Sequence, residues 1–405
     1  MKKFSFLFIF LSVITTTALQ AQEISFGFGG NASPVINPDR SVTFTLRAPN
    51  VSQVEIEGAF LPAREVDTPF GKMQMSGRVS LPKSAEGVFS WTSEPLVSDF
   101  YNYSIYLDGV RVVDPGNVYQ VRDVASLNNY FIIPGDKGDL FDVQDVPHGN
   151  VSKVWYPSPR SGMSQRRMSI YTPPGFSPSD RRTRYPVLYI MHGIGGDENA
   201  WIDGGRLPQV LDNLIASGKA EKMIVVVTNS NMSQQAAPGE GPDGRPRPQL
   251  MVPGNMDGQF EESFMDIVEY VEKSYPVYKD KAHRALAGLS MGGFHTVYIS
   301  ANYPDLFDYV CPLSAALNDH SDTQSARDSY IYKDLDGKID RQFSNAPKLY
   351  WIACGNADSL FGVNEEFCAK LDAKGYRYSF TESEGGHTWA NWRTYLTQFV
   401  PLLFK

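Results

Sequence analysis

Ser290 stands in the pentapeptide Gly288-Leu289-Ser290-Met291-Gly292. A serine hydroxyl becomes a nucleophile only when a base removes its proton and an acid orients that base. The short apolar run 284–286 precedes it and a helix-like stretch, 293–302, follows. That setting predicts a strand, a sharp turn and a helix, with the turn lifting the hydroxyl clear of the sheet. A side chain at either flanking glycine would crowd such a turn. Six histidines compete for the role of base. His387 follows Gly385-Gly386 just after an expected strand at 377–381, and loops at strand C-termini are where an α/β sheet places its sites. His295 lies on the serine's own helix and is expected to point away, His192 opens a different loop, and His148 and His283 lie in a linker and ahead of the turn. His320, after an expected strand at 309–313, is the competitor. Asp358 ends the expected strand 349–354 and is the acid candidate; Glu382 and Glu384 are nearer to His387 along the chain, which does not place them nearer in space. Ser290, Asp358 and His387 together would carry out acyl transfer through a covalent intermediate.

Acyl transfer also needs N–H groups aimed at the oxygen that gains charge. Met291, directly after the serine, supplies one candidate. The loop His192-Gly193-Ile194-Gly195-Gly196 supplies the other, from Ile194 or alternatively Gly193. No Lys-Ser or Lys-Thr follows these glycines, which excludes a phosphate-binding loop of the Walker type. Trp201 and Trp389 flank the two loops and are candidates to stack on a planar substrate ring, whereas Trp392 is expected to pack. No spacing of metal ligands is evident and the chemistry calls for no cofactor.

These residues must be held by a mainly parallel sheet. Apolar runs at 185–191, 223–228, 309–313 and 349–354 alternate with helical patterns at 207–215, 260–271 and 365–374, and a last helix spans 389–404. The Gly- and Pro-rich stretch 234–255 reads as a surface loop, a possible lid. Residues 24–133 differ: short alternating runs at 42–46, 54–57, 88–92 and 101–107, separated by Asn, Asp, Gly and Pro, predict an all-β sandwich, with Asp108-Gly109 as a hairpin turn. Residues 134–149 read as a linker and 150–405 as the chemistry-bearing domain. Residues 1–21, with Lys2 and Lys3 before an apolar core and small residues near 18–21, read as an export signal too short to span a bilayer. The formal charge of −8 becomes −10 without that leader, which argues against nucleic acid as a partner, and no later run suits membrane insertion. Cys311, Cys354 and Cys368 are expected as buried free thiols, one disulfide being the alternative.

The order Ser, Asp, His is that of the α/β-hydrolases. Pro173-Pro174-Gly175-Phe176, His192 to Asp197, Gly288 to Gly293 and Gly385-Gly386-His387-Thr388-Trp389 make residues 150–405 resemble the esterase family that includes bacterial feruloyl esterases, with acetylxylan, S-formylglutathione and enterochelin-type siderophore esterases as related groups. Arg47-Ala48-Pro49-Asn50 and Asp108-Gly109-Val110-Arg111 make the front segment similar to the immunoglobulin-like modules that precede sugar-active enzymes. The resemblance implies a secreted or periplasmic serine esterase with Ser290, Asp358 and His387 as its triad. It further implies an α/β-hydrolase domain behind an immunoglobulin-like sandwich, and feruloylated arabinoxylan as substrate. Acetylxylan and siderophore esters are the alternatives that the same machinery would serve.

Overall fold

The computed structural model describes residues 32–68, 71–124, 126–180, 182–242, 255–317 and 324–405. The expected export signal and His320 lie outside the described residues, as does most of the 234–255 loop.

An eight-stranded sheet organises the larger part of the chain, in the order Asn150–Ser158, Met163–Thr172, Ile224–Val227, Val187–Met191, Arg284–Leu289, Tyr309–Leu313, Leu349–Gly355, Ser379–Ser383. The first two pairings are antiparallel and every later one is parallel. Val187–Met191 is buried along its whole length, which explains its unbroken apolar character: a strand covered on both faces has no solvent side to mark with polar residues. Arg284–Leu289 is equally buried and opens on an arginine paired with Glu272. Helix Gln259–Ser274 covers one face. Its Phe260, Phe264, Ile267, Val268 and Val271 recur at helical spacing, with Glu261 and Glu262 in its first turn and Lys273 in its last, complementing the helix dipole. Helices Leu207–Ala216 and Trp389–Phe399 cover the other face.

Three of the elements that were not evident in the sequence have a clear physical reason for it. Edge strand Asn150–Ser158 is largely exposed, and its apolar residues Val154, Trp155 and Tyr156 follow an opening stretch that is exposed throughout. Strand Met163–Thr172 buries charge: Arg166 is fully enclosed, its guanidinium donating to the carbonyls of Asn229 and Asn231 at 2.7 and 3.0 Å. Helix Leu335–Ser344 turns Lys338 and Gln342 inward beside Ile339 and Phe343, so its buried face does not read as apolar.

In the front segment, strands Val35–Ile36, Val42–Arg47 and Val88–Thr92 form one sheet. A second has Gln120–Asp123, Ser126–Ile133, Asp99–Leu107, Val54–Gly58 and Gly77–Ser80 in order, with Val110–Val112 added beside Asp99–Leu107. Inward residues of the two meet in one core around Phe44, Phe89, Ile56, Tyr103 and Phe131. Asp108 and Gly109 both take positive φ, 47° and 85°, as a tight hairpin turn requires.

The stretch 134–149 is not slack chain. It contains helix Gly138–Phe141, whose Phe141 is fully buried with the Arg393 guanidinium over its ring, as over that of Phe100. The side-chain amide of Asn213 donates to the carbonyls of Asp139, Leu140 and Asp142, satisfying the end of that single turn. Arg393 adds a further tie, donating to the carbonyls of Gly204 and Phe100 at 2.9 and 3.2 Å.

Candidate active site

Ser290 sits between strand Arg284–Leu289 and helix Met291–Asn302 with φ 55° and ψ −115°, a conformation that a non-glycine residue adopts only under constraint. Its N–H donates to the Leu313 carbonyl at 2.9 Å and its own carbonyl accepts from Phe294 and Ala316. The flanking glycines are needed for space. A Cβ on Gly288 would lie 2.3 Å from the Gly292 carbonyl oxygen, and one on Gly292 would lie 2.6 and 2.7 Å from the carbonyl oxygens of Met191 and His192. Backbone meets backbone on both sides of the turn.

His387 Nε2 lies 3.0 Å from Ser290 Oγ, and its Nδ1 lies 3.0 and 2.9 Å from the two carboxylate oxygens of Asp358. The loops carrying the acid and the histidine are tied directly: Ala357 N–H donates to the Gly385 carbonyl, and Asn356 N–H to that of Ser383. Asn391 holds the histidine loop from behind, donating to the Glu384 carbonyl at 2.8 Å. Trp392 stands edge-on to the His387 ring, centroids 4.9 Å apart. Burial alone would raise the pKa of Asp358, but the hydrogen bond and charge of His387 and the Leu360 N–H at 2.9 Å hold it below the usual carboxylate value. An ionised Asp358 facing Nδ1 favours the tautomer that leaves Nε2 free to accept the serine proton.

The other described histidines are committed elsewhere. His295 is fully buried against Glu261 at 2.7 Å, and His148 and His283 pair with Asp212 and Asp280. His192 is fully buried, its Nε2 accepting from the Ser230 N–H at 3.0 Å and its Nδ1 facing the Gly193 carbonyl at 2.7 Å. That pattern requires a neutral ring, and burial lowers its pKa to about 4.

Met291 is the first residue of its helix, where N–H groups lack an intrahelical acceptor. The loop after Val187–Met191 passes so near that a Cβ on Gly193 would lie 3.1 Å from Ser290 Cβ, and Ile194 lines the same cleft as Ser290. Both sequence-predicted donors therefore border the serine.

Trp201 departs from its expected place. It is fully buried, its indole N–H donating to the Met191 carbonyl at 2.9 Å, and so cannot touch a substrate. The apolar strand ends beneath the loop enclose it. Trp389 does line the cleft and stands edge-on to Trp201, centroids 5.3 Å apart. Cys311, Cys354 and Cys368 are buried free thiols whose pKa values burial raises.

The cleft over Ser290 and His387 measures about 1080 Å³. The far wall of the cleft belongs to the front segment, where Asn102, Arg111, Arg122 and Asp123 line it. Contacts between residues distant in sequence leave no periodic signal, so nothing in the pattern could have announced them.

The family described as “Putative esterase” matches residues 161–403. The chain belongs to this esterase family. An endo-1,4-beta-xylanase/feruloyl esterase from Xylanibacter ruminicola is 28% identical over 382 residues, 93% of this chain and 46% of the relative, so the esterase-family chain spans about half of that protein's length. A solved ferulic acid esterase shares 26% identity at a TM-score of 0.51, covering 63% of this chain and 97% of its own. The enterobactin esterase of Shigella flexneri, at 15% identity and a TM-score of 0.59, covers 90% of this chain and 93% of its own, a likeness of fold that reaches into the front segment.

Proposed function

We propose that this chain is an exported serine carboxylic-ester hydrolase that releases ferulic and related hydroxycinnamic acids from arabinoxylan. Residues 150–405 form the esterase domain of this reading and 24–133 an immunoglobulin-like module. The observation that carries it is the hydrogen-bonded line from Ser290 through His387 to Asp358, opening into a cleft large enough for an aryl acyl group and attached sugars. The names of the Xylanibacter relative and of the solved ferulic acid esterase support the acyl and polymer classes.

Ser290 Oγ attacks the ester carbonyl as His387 Nε2 takes its proton. The N–H groups of Met291 and Ile194 hold the developing oxyanion. His387, oriented by Asp358, returns the proton to the departing sugar alcohol. Water then enters, is deprotonated by the same imidazole, and releases the free acid and Ser290. No cofactor takes part. Trp389 and the apolar Ile194 side chain flank the acyl end, while Trp201 braces Trp389 from beneath. An aryl ring gains roughly 25 cal/mol per Å² of apolar surface buried there, against little for an acetyl group.

The test compares kcat/KM on methyl ferulate, methyl p-coumarate, acetylated xylan and a catechol ester, with Ser290→Ala as control. Preference for the hydroxycinnamates, abolished in Ser290→Ala, is the expected result. Equal or better turnover of acetylated xylan, or a strong preference for the catechol ester, would replace the acyl assignment. Activity retained by folded Ser290→Ala would remove the nucleophile.

A further inference from the structure

The hairpin between strands Gln120–Asp123 and Ser126–Ile133 of the front segment ends against the two loops that flank Ser290. Arg122 forms an ion pair with Asp197, a carboxylate only 1% exposed at the end of the 193–197 loop. The other Asp197 oxygen accepts from the Asn199 N–H at 3.0 Å. A second guanidinium nitrogen of Arg122 donates to the Val124 carbonyl at 3.0 Å, bracing the hairpin's own turn. Val124 holds a φ of 51°, rare for a β-branched residue but required at the first position of the two-residue turn that joins Asp123 to Ser126. The turn so formed carries Val124 against the 193–197 loop: Gly195 has φ 76°, and the Cβ it lacks would lie 2.7 Å from a Val124 methyl. On its other side the loop is held by Asn231, whose amide donates to the Gly196 carbonyl at 2.7 Å, and it closes on itself through Gly196 N–H to the Gly193 carbonyl. Asp123 reaches the second loop, accepting from the Trp389 indole N–H at 3.4 Å, two residues beyond His387.

We propose that Arg122 and Val124 are positioning residues for the reaction: the front segment presses the 193–197 loop into the place from which Ile194 N–H meets the oxyanion. The proposal rests on the serine-esterase reading above. It gives the front segment a part in the chemical step, distinct from any hold on the polymer. An oxyanion donor acts through geometry fixed before the reaction, and losing one outright costs about 10²–10³-fold in kcat. A donor displaced on a loosened loop costs part of that. Arg122 is not needed to keep the two parts of the chain together. Arg393, bonded to Gly204 and Phe100, and Arg206, donating to the Phe141 carbonyl at 2.9 Å, serve that end separately.

The experiment uses the full chain and p-nitrophenyl acetate, an ester too small to need the cleft's far wall. Arg122→Ala is expected to lower kcat about 10–100-fold with KM within about twofold of wild type. Val124→Ala, which trims the contact on Gly195 and leaves the ion pair, is expected to give a smaller loss of the same kind. Combining Arg122→Ala with Asp197→Asn is expected to cost no more than the worse single change, since both break one link. Amide exchange of the 193–197 loop, read without turnover, should accelerate in Arg122→Ala while the melting temperature holds. Wild-type kcat in Arg122→Ala, or additive losses in the double variant, would overturn the proposal. So would a kcat loss that tracks melting temperature, or faster loop exchange with unchanged kcat. Wild-type protein inert towards the ester would instead sink the esterase reading, a failure visible before any variant is compared.

Discussion

Gly292→Ala tests the contact between the serine turn and the loop that carries Ile194. The added methyl would lie 2.6 Å from the Met191 carbonyl oxygen and 2.7 Å from that of His192, about 0.8 Å inside ordinary van der Waals contact. Neither neighbour can swing away. Both are main-chain atoms, one ending the fully buried strand Val187–Met191 and the other rooting the loop that carries Ile194. The methyl must therefore part the serine turn from that loop by a comparable distance. A misplacement of about 1 Å costs on the order of 10²-fold in catalysis, and overpacking a filled interior costs about 1–3 kcal/mol. The expected result is a kcat on p-nitrophenyl acetate lowered about 10²-fold and a urea midpoint shifted down accordingly. KM is expected to change less than kcat, because the damage falls on the geometry of the oxyanion and not on the cleft walls. Wild-type kcat together with wild-type stability in Gly292→Ala would refute the claim that backbone contact here limits the site.

Asp358→Asn is expected to lower kcat by about 10⁴-fold with the fold intact, because an amide cannot hold the His387 tautomer that an ionised carboxylate does. His387→Ala should cost more, and near-normal rates in either variant on a soluble ester would undo the assignment. His192 predicts a pH dependence of stability. Its folded pKa, about 4, lies below the ordinary histidine value of 6.5, so its contribution is complete above pH 6.5 and is lost as pH falls towards 4. Wild-type protein should lose a few kcal/mol of unfolding free energy across that window, roughly 1.4 per pKa unit, and His192→Gln should lose less; equal slopes in chemical denaturation would contradict a neutral buried ring. Trp201→Ala is expected to destabilise by about 3–5 kcal/mol through the cavity it leaves, measured by denaturation. Undiminished stability would mean that the indole is not packed as described.

What could be seen in the sequence was whatever a short stretch enforces by itself. The serine turn needs its glycines because backbone crowds backbone within five residues, so the pentapeptide carries its own geometry. Asp358 and His387 each follow a run of apolar residues, and a strand end is a location that a linear pattern can mark. Strand Ser379–Ser383 lies two residues beyond the expected 377–381 because its exposed edge position blurs the alternation. Trp201 was misjudged for the opposite reason. Whether an indole lines a cleft or fills the space beneath it depends on what packs above, and here Trp389 does. Arg166 and Glu198 are charged yet buried, and each takes its partners from elements far along the chain, invisible to any window.

The same distinction separates the chemistry from its selectivity. The proposed nucleophile, base and acid sit on turns and strand ends inside residues 288–388, and such a unit can serve any ester that reaches it. The cleft above them is built jointly, lined by Trp389 from the larger part of the chain and by Asn102, Arg111 and Arg122 from the front segment. On the proposed reading, substrate length and shape are set where two separately patterned parts of the chain meet. A residue such as Arg122 belongs by sequence to the front sheet and by contact to the loop beside Ser290. Changes in the front segment can then alter both which esters fit and how fast a fitting ester reacts. The two effects part experimentally along one line: a small acetate ester registers only the second, whereas a feruloylated polysaccharide registers both.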